Sequence, residues 1–175
     1  MLARIESDVH APCAFLLILQ QEQFAHDQHS HPDIASLSKT DRLKHYGLHY
    51  AKYVGRLART HAEPKSVDQT IVDTALICLS AANALHQNLA TFALAPAAIS
   101  DCTRFLPALA EPVGRFCDGC EKLDHLEDAH AILRDANRDV CRFVLNASSL
   151  AGMDLVTRIG ERRRELARRN FFIRG

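Results

Sequence analysis

The sequence predicts an all-α fold, a bundle of antiparallel helical hairpins forming one domain over residues 1–175. Three observations predict it. Gly and Pro together number 13 and hydrophobic residues make up 47%, a balance that fits a helix-rich globular chain. Every long segment repeats its apolar residues at three- and four-residue steps. The third observation is a recurring stretch. Asp73 to Leu89 and Asp139 to Leu155 have the same spacing and share Asp73/Asp139, Leu79/Leu145, Ala81/Ala147 and Leu89/Leu155. Each is preceded by a Val-Gly-Arg, Val54-Gly55-Arg56 and Val113-Gly114-Arg115. The spacing predicts a duplicated hairpin over 41–89 and 108–155, against chance between two amphipathic helices. The second copy has more residues between its marks, so its 121–151 helix is expected to be longer by roughly two turns.

Taken in order, residues 13–25 read as a first helix with Phe15, Leu16, Leu19 and Gln23 on one side. Residues 26–33 read as a polar, solvated loop, although His26, His29 and His31 lie close enough together to take a metal. Asp41 is expected to cap the next helix, which runs to about residue 60 with Leu43, Tyr46, Tyr50, Val54 and Leu57 buried. A short loop containing Pro64 then folds the chain back. Residues 68–89 contain no Gly or Pro and make a helix with Ser66 or Asp68 as N-cap. A short helix over 97–105 and another from Pro112 to about Phe116 follow, with Cys117-Asp118-Gly119-Cys120 as a turn. Residues 121–151 read as one long helix ended by Gly152, and Asp154 caps an arginine-rich last helix.

Composition excludes several functions. Formal net charge is zero, but residues 155–175 hold seven arginines and two glutamates. Removing those nine charges from the 21 basic and 21 acidic residues leaves 14 against 19. The arginine helix has no interleaved aromatic platform, which argues against nucleic acid as partner. No apolar run approaches ~18 residues, so no membrane span is expected. Residues 11–19 are apolar but follow Glu6 and Asp8 without a cleavage site, so they read as a helix start and not a signal peptide. Six scattered cysteines fit buried thiols in a reducing cytoplasm. Cys117 and Cys120 lack a second cysteine pair at zinc-finger spacing, with only His125 and His130 downstream.

The candidate ligand-binding residues are His45, His49, Lys52 and Arg56. Their spacing stacks them on one face of the 41–60 helix. Positive groups in line repel one another unless an anion or acids face them. The row is therefore either a solvated helix face or a phosphate-facing one, and in the second case binding should strengthen as pH drops through ~6.5.

The segments Tyr53-Val54-Gly55-Arg56-Leu57-Ala58, Gln69-Thr70-Ile71-Val72-Asp73 and Gln87-Asn88-Leu89 resemble the all-α NTP pyrophosphatase (MazG-like) superfamily. They resemble, in turn, its Glu-Val-Gly-Glu-Leu-Ala and Glu-Glu-Leu-Ser-Asp segments and its Val-Asp-Leu turn. Met153-Asp154-Leu155 with the arginines beyond resembles the family's basic C-terminal end. The resemblance covers 41–89 and, a second time, 108–169. It implies a helical, dimeric protein in which two helices present Glu-x-x-Glu and Glu-x-x-Asp, whose four acids hold Mg²⁺ over a nucleoside triphosphate. Here the matching positions hold Tyr53, Arg56, Thr70 and Asp73, so one acid of four remains. Two functions follow. One is a MazG-like protein with degenerate acids that binds a nucleotide, another phosphorylated ligand or a protein partner. The alternative is an active Mg²⁺-dependent pyrophosphohydrolase whose metal acids are Asp73, Glu111, Asp135 and Asp139.

Overall fold

Short polar side chains set the helix starts. Ser38 Oγ accepts the Asp41 backbone N–H at 3.1 Å, Ser66 Oγ that of Gln69 at 3.1 Å, and the Asp154 carboxylate that of Thr157 at 3.2 Å. Each satisfies a donor that the first helical turn leaves unpaired. Asp41 is therefore not the cap of its helix. It lies three residues inside and takes the Ser38 hydroxyl at 2.7 Å, a reciprocal arrangement like a capping box.

The computed structural model describes residues 14–59, 62–91 and 99–169. Among them are seven α-helices and no strand: α1 (Ala14–Ser30), α2 (Pro32–Ala35), α3 (Lys39–Arg59), α4 (Val67–Ala84), α5 (Phe105–Asp124), α6 (His130–Leu150) and α7 (Leu155–Ala167). Short 3₁₀ turns occupy Leu89–Thr91 and Cys102–Arg104. The α3–α4 and α5–α6 hairpins pack together, α3 on α5 and α4 on α6, while α1 and α7 lie against each other and against α4. None of the described helices is long and apolar enough to cross a membrane.

The core centres on Tyr50, Phe116, Leu43, Ile71, Leu109, Leu133 and Val140. Tyr50 and Phe116 meet edge to face, with ring centroids 5.1 Å apart. A buried amide keys the layers together. Asn137 on α6 accepts from Tyr50 Oη at 2.6 Å. It donates to the Cys78 carbonyl at 3.2 Å and to Gln87 Oε1 at 3.0 Å. These partners offset the cost of burying the amide. Gly119 lets α5 sit close to α6, since a Cβ there would stand 2.8 Å from Leu133 Cγ.

Several elements depart from the sequence reading. α1 continues through His26 to Ser30, so the expected polar loop is helical. Its polar residues face polar partners: Gln23 donates to Asp27 at 2.8 Å, and the Ser80 hydroxyl to Asp27 at 2.6 Å. α4 ends at Ala84, five residues before the expected 89. Pro112 and the Cys-x-x-Cys lie inside one helix, α5, not at a helix start and a turn. Spaced by one turn, both thiols face α3, where Cys120 Sγ lies 3.5 Å from the Leu43 carbonyl. Burial pushes the Cys120 thiol up to about 12 and raises Cys117 too, so neither is poised as a thiolate. The expected 121–151 helix is broken at 125–129, where Leu126 takes φ 58. Residues 1–13, 60–61, 92–98 and 170–175 lie outside the described residues. The start of the first expected helix, the reading of residues 11–19 and part of the expected 97–105 helix therefore lie there as well.

The two hairpins correspond at both ends. Arg56 crosses from α3 to Asp73 on α4 at 2.8 Å, and Arg115 crosses from α5 to Asp139 on α6 at 2.6 Å. Leu85 and Ala151 donate to the carbonyls of Ala81 and Ala147, and Gln87 and Met153 to those of Ala82 and Ser148. The residues in the left-handed conformation match as well, His86 at φ 50 and Gly152 at φ 62. The extra residues between Arg115 and Asp139 lie at the end of α5, which runs on to Asp124, and at the start of α6. With 21 residues against 18, α6 is not two turns longer than α4.

Candidate functional site

α3 brings the predicted row onto one wall of a cavity of about 380 Å³ enclosed by α1, α2, α3, α4 and α7. His45, His49, Lys52 and Arg56 all line it, since each step of three or four residues returns to the same helix face. The His45 and His49 rings stand 4.7 Å apart. Lys52 Nζ lies 3.2 Å from His49 Nδ1. An ammonium can only donate, so Nδ1 accepts and the neutral ring carries its proton on Nε2. Burial and the neighbouring Lys52 lower the His49 pKa to about 4, and the same two causes lower that of His45.

Tyr53 is the buried pillar of this wall. Lys52 and Arg56 both lie over its ring, 5.1 and 5.0 Å from the centroid, an arrangement that favours cations held near a ring face. Lys52 has no carboxylate in ion-pair range among the described residues. Burial lowers its pKa, with Arg56 adding to the effect.

Asp73 closes the inner end. Its carboxylate takes Arg56 Nη1 at 2.8 Å and Arg162 Nε at 2.7 Å. Two guanidinium groups thus converge on one acid whose side chain is 6% exposed. Glu165 takes Arg162 Nη1 at 2.5 Å. At the other end lie Asp27, Asp33, His26 and His31. Burial raises the Asp27 pKa against the lowering effect of its hydrogen bonds from Ser80 and Gln23. Burial, then the charges of His31 and Arg163, lower His26 to about 4, and its Nε2 is buried without a hydrogen-bond partner.

The four acids expected to hold a metal are not brought together. Asp73 is bonded to arginines in the first hairpin. Glu111 and Asp139 share Arg115 at 2.6 Å each in the second, and Asp139 also takes Arg142 at 2.7 Å. Asp135 is exposed and pairs with Arg138 at 2.9 Å. No group of three or more His, Cys, Asp or Glu among the described residues, the His26–His31 stretch included, is arranged to hold a metal ion. Sequence reasoning missed Arg162, Asp27 and Tyr53 as parts of the site. Arg162 stood out only as one of seven clustered arginines, and the contact with Asp73 depends on how α7 folds back.

The depressed histidines make a testable statement about stability. His26 and His49 have folded pKa values of about 4 against 6.5 for an unperturbed imidazole. Between those values the unfolded chain binds more protons, so stability is full above ~6.5 and falls as pH drops toward ~4. The melting temperature should decrease from pH 7 to pH 4.5, and the decrease should be smaller in His26→Gln/His49→Gln. An equal pH dependence in that variant would show that carboxylates alone set it.

The chain matches no protein-family model, no curated protein and no solved structure.

Proposed function

We propose that the chain is a MazG-like helical module whose cavity binds a nucleotide or another phosphorylated small molecule directly on its basic row, without a metal. The observation that carries this is Lys52, an ammonium on a cavity wall with no carboxylate in ion-pair range among the described residues, beside Arg56 and Arg162, which share one carboxylate. Such groups gain most from a phosphate, whose oxygens accept charge-assisted hydrogen bonds. The cavity volume, about 380 Å³, is at the low end of the ~300–1,000 Å³ range of small-molecule sites. The paired Val-Gly-Arg hairpins support the family reading.

The Mg²⁺ that the resemblance implies does not fit these residues. Mg²⁺ is held by free carboxylate oxygens, and both oxygens of Asp73 are bonded to guanidinium groups. The same groups are hydrogen-bond donors, which an anion can use and a cation cannot.

The test is calorimetric titration of the full chain with ATP, ADP and inorganic phosphate in the presence of a chelator. Binding is expected, and Lys52→Gln should weaken it about tenfold or more, since a hydrogen bond to a charged group contributes ~1.5–3 kcal/mol. Affinity should rise at acid pH, because a bound anion favours the protonated imidazoles. With His49 at about 4 and His45 lowered, the rise should come well below the ~6.5 of a free histidine. Absence of nucleotide binding, or ATP and ADP binding that ignores Lys52, would overturn the reading. Turnover of nucleoside triphosphates with Mg²⁺ or Mn²⁺ above ~1 per second would establish the active pyrophosphohydrolase instead.

A further inference from the structure

We propose that a second anion site, separate from the basic row, lies at the start of α3 and takes the phosphate group of a small phosphorylated molecule on Lys39, Arg42 and His86. These three residues line a cavity of about 260 Å³ on the other side of Asp27, Ala35, Tyr46 and Ser80, which border both cavities.

Three observations point to a ligand. The Arg42 guanidinium makes no hydrogen bond or ion pair among the described residues, and its Nε is buried without a partner. A buried donor left unpaired is costly, and an acceptor arriving from solvent would satisfy it. The surroundings are basic. Lys39 Nζ is 3.3 Å from His130 Nε2, and Arg134 and His86 also act on His130. The acids nearby are Asp27, already bonded to Gln23 and Ser80, and Asp128, which acts on His130 and accepts its backbone N–H at 3.2 Å.

The third observation concerns His86. It stands just past α4 at φ 50, and its counterpart past α6 is Gly152 at φ 62. Glycine occupies this backbone region without strain, whereas a side chain does not. The first hairpin keeps an imidazole at a position where glycine fits better, and that imidazole lines the cavity with Lys39 and Arg42. The cavity is smaller than the ~300 Å³ at which drug-sized sites begin, which suits a phosphate with few atoms attached.

The test is a titration of the full chain with inorganic phosphate at pH 7, followed by the ring proton resonances of His86 and His130. Saturable shifts with a dissociation constant below about 10 mM are expected, unchanged in Lys52→Gln and weakened about tenfold in Arg42→Gln. His86→Gly should raise the melting temperature while weakening phosphate, a pairing that a purely structural residue would not give. Lys39→Gln provides a second probe of the same cavity should Arg42→Gln fail to fold. No saturable shift, or equal shifts in Arg42→Gln and Lys39→Gln, would overturn the site. So would a response lost in Lys52→Gln, which assigns the binding to the larger cavity.

Discussion

Asp73→Ala is expected to cost about 3–5 kcal/mol, the range for removing one partner of a buried ion pair. The penalty comes mainly from what stays behind. Arg56 and Arg162 both point at Asp73, with side chains 11% and 9% exposed. Without the carboxylate, two largely buried guanidinium groups face each other unneutralised. Glu165 retains one hold on Arg162, and Glu63 lies 3.9 Å from Arg56, so the chain should still fold. The matched control is Asp139→Ala. Asp139 is 26% exposed, and Arg115 keeps Glu111 at 2.6 Å, so that variant should lose only about 0–1 kcal/mol. Urea unfolding of both variants tests the pair. A loss below ~1 kcal/mol at Asp73, or equal losses at the two acids, would show that burial does not separate the two crossings.

The second large effect is Phe116→Ala, expected to cost about 3–5 kcal/mol. Phe116 is fully buried, and its ring meets Tyr50 edge to face. Removing it opens a cavity between α3 and α5 and frees the ring whose hydroxyl holds Asn137 at 2.6 Å. The loss therefore combines apolar transfer, cavity formation and a loosened polar network. Phe116→Leu should lose much less, because it refills most of the space. Equal losses in the two variants would mean that ring geometry matters more than volume.

The sequence was most readable where one residue acts through its own backbone or its own helix face. Ser66, Gly152 and Asp154 mark the termini expected of them. The row from His45 to Arg56 shares one face because helical spacing alone decides it. Reading failed where partners distant in sequence decide. Asp27 looked like part of a loop because it and its neighbours are polar, yet Ser80 receives it inside the fold. The break at Leu126 has no Gly or Pro to announce it, and Pro112 is carried within α5 by the flanking buried Leu109, Val113 and Phe116. The metal set failed for a related reason. Counting acids says nothing about arginines that arrive from another helix to occupy them.

The last helix is moored differently from the others. α7 buries only Leu155 and Ile159 as apolar anchors. Its other ties are Arg162 on Asp73 and Arg163 on Gln23, Glu22 and the Leu19 carbonyl. Ionic ties that reach solvent, as Arg163 to Glu22 does, weaken with salt, whereas apolar burial is strengthened by excluded salts. Amide hydrogens of α7 should therefore exchange through an opening that becomes more frequent as sodium chloride is added, while those of α4 and α6 do not follow it. Because Arg162 and Leu166 also wall the larger cavity, the same excursion unroofs the end at which Arg56 sits. Ionic strength should then act as a throttle on how often the inner end of the cavity meets solvent.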